Sequence, residues 1–234
     1  SPFCIDSFDL LRKFNLDFIK IPSGEITNLP LLRHIRKFNN DIILSTGMSN
    51  LNEIKNAVQI LKNKNRKIIL LHCNTEYPTP IFDINLNAMQ ALKKKFKLEV
   101  GYSDHSLGTQ VPVIAASLGA KVIEKHFTIS KKMVGPDHVA SLNPKELISM
   151  VKAIRTTEII LGKSEKFVSN SEKKNLLIAR KSLFAACDIK KGEKFSLNNL
   201  VCLRPGSGIS PINIDQVCKR KAKKNILKGQ LIKI

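Results

Sequence analysis

Five short apolar stretches recur along the chain, with starts 23 to 31 residues apart: 17–21, 41–45, 67–73, 98–102 and 121–127. Helical patterns fill the gaps between them. Asn50 and Glu53 form a capping box ahead of Leu51, Ile54, Val58 and Leu61, which share one helix face. Asn143, Pro144 and Glu146 suit the N-cap, N1 and N3 positions of another helix, and Gly162 suits its C-terminal cap. Strands alternating with helices at this spacing predict a parallel sheet, either open or closed into a barrel. A closed (β/α)8 TIM barrel needs eight strands and about 250 residues. Five are visible here, so the pattern predicts the last five βα units of such a barrel. The chain opens Ser1-Pro2-Phe3 rather than with Met, and is expected to be cut at its N-terminus.

The pattern changes after Gly162. Polar, charged residues predict a linker at 166–178, between an α/β domain at 1–165 and a small, mostly β domain at 179–234. Within the small domain, strands are predicted at 182–186, 200–203, 222–226 and 231–234. Asp188-Ile-Lys-Lys-Gly-Glu193 resembles Asn225-Ile-Leu-Lys-Gly-Gln230, a weak internal repeat 37 residues apart.

The net charge of +20 raises a nucleic-acid reading. However, 31 of the 39 cations are lysine and they are spread over the whole length. With two Tyr and no Trp, the chain lacks the arginine-aromatic surfaces that read bases. No nucleic-acid partner is expected, although a positive field favours an anionic substrate. No apolar run approaches a membrane span, so no membrane partner is expected. The five cysteines are scattered and form no CxxC pair, which fits free thiols in a reducing cytoplasm.

Polar residues gather where the predicted strands end, which is where parallel barrels build their active sites. Lys20-Ile-Pro-Ser-Gly-Glu25 closes the first stretch and Ser45-Thr-Gly-Met48 the second. His72-Cys-Asn-Thr-Glu-Tyr-Pro-Thr-Pro80 closes the third, Gly101-Tyr-Ser-Asp-His105 the fourth and Glu124-Lys-His-Phe-Thr128 the fifth. Lys20 precedes a Ser-Gly-Glu turn and suits an anion. Ser45 and Thr46 fit a phosphate seat and a plain turn equally well. His72 reads as core or as support for the site. His105 and His126 end strands flanking one helix, so both imidazoles should emerge side by side, as a two-histidine metal site or a catalytic pair requires.

Together these segments, with Gly135-Pro-Asp-His-Val-Ala-Ser141, resemble the N-acetylneuraminate (sialic acid) synthases. Asp188-Ile-Lys-Lys-Gly-Glu193 and Arg204-Pro-Gly-Ser-Gly208 resemble that family's C-terminal antifreeze-like, or SAF, domain. The resemblance covers nearly the whole chain. It implies condensation of phosphoenolpyruvate with an N-acetyl-hexosamine, giving a nine-carbon keto-acid sugar and phosphate. It also implies a domain-swapped homodimer and a divalent metal, usually manganese, with magnesium or cobalt as alternatives. By resemblance, His105 and His126 are the metal ligands and act in catalysis. Lys20, Ser23, Ser45 and Ser103 are phosphoenolpyruvate contacts. Glu25 is the catalytic carboxylate near the enolpyruvate carbon. Tyr77 and Asp137 contact the sugar, and Arg204 reaches into the partner chain's site.

The family's first-strand Glu and second-strand Lys have no counterpart here, so the chain on its own is expected to release no phosphate from phosphoenolpyruvate. N-acetylmannosamine is the first expectation for the sugar, with the diacetamido-hexose of a legionaminic or pseudaminic acid synthase as the alternative. Two further readings remain open. Lys20 or Lys125 could form a Schiff base in a metal-free aldolase, which borohydride trapping with pyruvate would reveal. The chain could also be an inactive remnant or binding protein.

Overall fold

A computed structural model describes residues 1–63 and 65–234, which divide into two compact units, Ser1–Gly162 and Lys163–Ile234. In the first unit, β1 (Phe18–Ile21), β2 (Asp41–Ser45), β3 (Ile68–His72), β4 (Glu99–Asp104) and β5 (Ile123–Lys125) form one all-parallel sheet in sequence order. The helices are α1 (Ile5–Arg12), α2 (Leu29–Arg36), α3 (Leu51–Leu61), α4 (Asn87–Phe96), α5 (Gln110–Ser117) and α6 (Pro144–Leu161). Both expected capping boxes form: Asn50 accepts from the Asn52 and Glu53 amides, and Asn143 from that of Glu146. Each cap satisfies backbone donors that the first helical turn would otherwise strand.

Strand alternation sorts this sheet into two faces. Ile19, Ile21, Ile42, Leu44, Ile68, Leu70, Val100 and Tyr102 pack against helix residues that include Leu31, Ile35, Ile54, Leu61, Met89 and Ala115. Burying each such aliphatic side chain contributes roughly 1.5–3 kcal/mol. The opposite face carries Lys20, Ser45, Ser103 and Glu124. In a flat sheet, strands lie about 4.8 Å apart, so β1 and β5 would be roughly 19 Å from one another. Yet Lys20 Nζ on β1 lies 3.0 Å from Glu124 Oε1 on β5. The sheet is therefore curled into an arc of a barrel, with these side chains on its concave face. Gly101 permits the tightest approach in the arc: a Cβ there would sit 2.3 Å from the Val122 carbonyl oxygen.

The fifth strand is shorter than its apolar pattern predicts. It stops at Lys125, and Phe127 beyond it makes one parallel bridge to Leu142. No helix among the described residues is long and apolar enough to cross a membrane.

The second unit contains α7 (Asn170–Ala179), the antiparallel pair β6 (Ser182–Ala185) and β7 (Leu200–Leu203), and the short α8 (Ile214–Cys218). Leu183, Ala185, Ile189, Phe195, Val217, Ala222, Ile226 and Ile232 form its core. Two corrections to the sequence reading arise here. The segment read as a linker holds α7, which a Ser169–Glu172 capping box starts. The segments read as strands at 222–226 and 231–234 form no ladder: they make the isolated bridges Ile189↔Ile226 and Phe184↔Leu231, and Ala222 bonds the Gly192 and Glu193 backbone. A tight turn separates the two, with Gly229 at φ +80°.

The internal repeat is a reciprocal structure. Ile189 and Ile226 exchange backbone hydrogen bonds of 2.8 and 2.9 Å. The Lys191 amide donates to Asn225 Oδ1, and the Lys228 amide donates to Asp188 Oδ1, both at 2.8 Å. Within each turn the sixth residue accepts from the third: Lys190 to Glu193 and Leu227 to Gln230. The two copies are thus related by an approximate twofold, and each completes the other's turn.

Candidate active site

His105 and His126 come together at the end of the curled sheet, with ring centroids 5.4 Å apart and planes near perpendicular. The Tyr77 ring stacks on His105 at 4.1 Å and lies 5.1 Å from His126. A carbonyl can only accept, so the 2.5 Å contact between His105 Nδ1 and the Asn74 oxygen places the ring proton on Nδ1. The lone pair is then on Nε2, which accepts from the Tyr77 hydroxyl at 3.0 Å. Burial is the main influence on His105 and, with His126 nearby, holds its pKa below the ordinary imidazole value despite the Asn74 carbonyl. A neutral ring with a backbone-anchored Nδ1–H is the form that ligates metals. His126 Nδ1 lies 3.6 Å from Asp137 Oδ2, which brings that carboxylate into the same cluster. The two imidazoles fit a metal as a partial donor set. No group of three or more His, Cys, Asp or Glu suited to a metal occurs among the described residues.

A charged chain lies beside the imidazoles on the concave face. Glu124 Oε1 accepts from Lys20 Nζ at 3.0 Å and from Ser103 Oγ at 2.7 Å. Ser103 Oγ is in turn 3.3 Å from His105 Nε2. Burial raises the Glu124 pKa, but the Ser103 hydroxyl and the Lys20 ammonium outweigh it and hold the group below the usual carboxylate range. Burial is also the main reason the Tyr77 pKa is raised, so its hydroxyl keeps its proton.

Other expected residues lie around this core. Ser23 Oγ accepts from the Gly47 amide at 3.0 Å and touches Cys73 Sγ at 3.2 Å. Gly47 allows that packing, since a Cβ would sit 2.8 Å from Thr75 and 2.9 Å from Ser23. Ser45 is buried and its hydroxyl has no hydrogen-bond partner among the described residues. Glu25 accepts from Asn28 Nδ2 at 2.6 Å, just after β1. His72 faces the helix layer, where its ring donates to the Ile84 carbonyl at 2.8 Å. Lys125 is held in a buried ion pair with Asp104, a poor setting for a Schiff-base nucleophile. Arg204 belongs to the second unit, where its Nε donates to the Ala179 carbonyl at 2.9 Å.

Glu124 is the site residue absent from the set read off the sequence. The signal was present: it precedes His126 by two, so strand alternation puts both side chains on one face.

The NeuB family matches residues 1–166 and the SAF domain matches residues 180–234. An N,N'-diacetyllegionaminic acid synthase of Campylobacter jejuni is 52% identical over 236 residues, covering 100% of this chain and 71% of its own length. A pseudaminic acid synthase of the same species is 39% identical, with 100% and 68% covered. The crystal structure of an N-acetylneuraminic acid synthetase from Leptospira borgpetersenii, in complex with citrate, superposes with a TM-score of 0.70 at 37% identity. That superposition covers 75% of this chain and 61% of the other. This chain therefore spans between 61% and 71% of the length of these relatives. Two matches in order, the NeuB family over 1–166 and the SAF domain over 180–234, make this chain a member of the NeuB family with a C-terminal SAF domain.

Proposed function

We propose that this chain forms part of a synthase that condenses phosphoenolpyruvate with a diacetamido-hexose, giving a nine-carbon keto-acid sugar of the legionaminic type and phosphate. The carrying observation is the 52% identity, over the whole chain, to an N,N'-diacetyllegionaminic acid synthase. That likeness supports the diacetamido sugar better than N-acetylmannosamine, since the sialic acid synthetase compared above is 37% identical. The complete enzyme is proposed to close an eight-stranded barrel and to act as a domain-swapped homodimer.

The roles follow from the family resemblance, and the contacts described above are set beside them. Lys20, Ser23, Ser45 and Ser103 receive the phosphate and carboxylate of phosphoenolpyruvate, where an ammonium and hydroxyl donors offset its charge. The unpartnered Ser45 hydroxyl supports this assignment, because a buried polar group without a partner is costly. Glu124 keeps Lys20 and Ser103 aligned, and Glu25 faces the enolpyruvate carbon. His105 and His126 hold a divalent metal, for which manganese suits imidazole and oxygen donors. When bound, that metal polarises the aldehyde oxygen as a Lewis acid. Tyr77 and Asp137 meet the sugar beside the imidazoles, and Arg204 of a second chain grips its N-acetyl group.

The test is phosphate release by the protein expressed from its complete reading frame, with manganese. The diacetamido-hexose is expected to be turned over with higher kcat/KM than N-acetylmannosamine. Faster turnover of N-acetylmannosamine would make it a sialic acid synthase. Release with neither sugar, before and after EDTA, would remove the reading.

A further inference from the structure

Behind the two imidazoles, on the helix-facing side of the sheet, lies a buried ion pair. Asp104 and Lys125 are register partners on β4 and β5, with Nζ 2.6 Å from Oδ2 and side chains 0% and 2% exposed. The other Asp104 oxygen accepts from the Ser106 amide at 3.0 Å and the Ser106 hydroxyl at 2.7 Å. Lys125 also donates to the Ser106 carbonyl, so the pair clamps the loop after β4 to the end of β5. Each member immediately precedes a histidine of the site.

A buried ion pair contributes little net stability compared with apolar residues of the same shape. It does specify pairing, because a slip of one residue turns every side chain of a strand to the opposite face. Strand β5 is weakly specified otherwise. It has three residues, and its apolar member Ile123 only borders the core. With Lys125 locked outward against Asp104, strand alternation turns Glu124 and His126 inward. A slip at this edge would exchange Lys125 with His126.

We infer that Asp104 and Lys125 are positioning residues: their ion pair sets the register of β5 against β4 and thereby the spacing of His105 and His126. This rests on the reading of those two histidines as a metal-binding pair. Both side chains lie on the face of the sheet opposite Ser103 and Glu124.

The test titrates manganese into the protein from its complete reading frame and follows free Mn2+ by electron paramagnetic resonance, with no turnover required. The double variant Asp104→Asn/Lys125→Met keeps both shapes and leaves no unpaired charge. Its Kd for manganese is expected to rise about tenfold or more, as for other residues that orient metal ligands. Ile54→Val, a core trim remote from the strand ends, should bind as the parent does. Unchanged affinity in the double variant overturns the inference. No manganese binding by the parent overturns the metal reading and the inference with it. If the double variant fails to fold, Asp104→Glu takes its place. It keeps the charge but lengthens the brace by one methylene, so affinity should weaken, and parent-like affinity would overturn the inference.

Discussion

The two units use polar side chains in opposite ways. On the concave face of the first, they bond one another: Lys20 to Glu124, Ser103 to Glu124, and Tyr77 to His105. In the second, most bond backbone: Asp188 holds the Lys228 amide, Asn225 that of Lys191, and Arg204 donates to the Ala179 carbonyl. Side chains that bond each other hold charge at fixed points, which chemistry requires. Side chains that bond backbone hold a shape, and leave little over for a reaction. The charge follows the same division. The second unit has 17 Lys and Arg against five Asp and Glu and no Lys or Arg ion pair, whereas the first has 22 against 14 and five such pairs among its described residues.

The sharpest way to break this contrast is to remove an imidazole. His105→Ala is expected to lower kcat/KM in the complete reading frame by on the order of 10³-fold, matching the several kcal/mol that the proposed metal would supply, with thermal stability nearly unchanged. A loss of only a few-fold would take chemistry out of the first unit. Next comes Gly101→Ala. A Cβ there would overlap the Val122 carbonyl, so the arc must open, at a cost of about 1–3 kcal/mol in the first unit. Denaturant melting should show that loss while the second unit's transition stays in place.

Smaller still is Asn225→Ala, which leaves the Lys191 amide without its acceptor. Its expected cost is about 1 kcal/mol, confined to the second unit, with catalysis untouched. A shift in KM for phosphoenolpyruvate would instead link that turn to the site. The last effect concerns His72. Burial depresses its pKa, so the folded state binds fewer protons than the unfolded state below about pH 6.5. Stability should therefore fall as pH drops through that region, by no more than about 1.4 kcal/mol per pH unit for one proton. His72→Gln should flatten this slope in acid titrations followed by circular dichroism, and an unchanged slope would assign the effect elsewhere.

Local signals carried much of this architecture. The stretch at 41–45 is β2 to the residue, and the caps at Asn50 and Asn143 start helices where expected. These features depend on neighbours within four positions, so composition and spacing reveal them. The misses have different causes. Helix α7 lay under a polar composition, although its Ser169–Glu172 box was there to be read. The segment at 222–226 has strand composition, but whether it pairs depends on residues 37 positions away. In the site, alternation and strand order made the meeting of His105 and His126 legible. The meeting of Lys20 and Glu124 was not, because it spans 104 residues and exists only through the curl of the sheet.

The crossed turns of the second unit also carry a statement about time. Lys191 cannot complete its turn until Asn225 has been made, 34 residues later, and Asp188 has no amide to hold until Lys228 appears. Neither turn is a seed on which the other grows. Both turns therefore lock in one step whose speed is set by closing that loop.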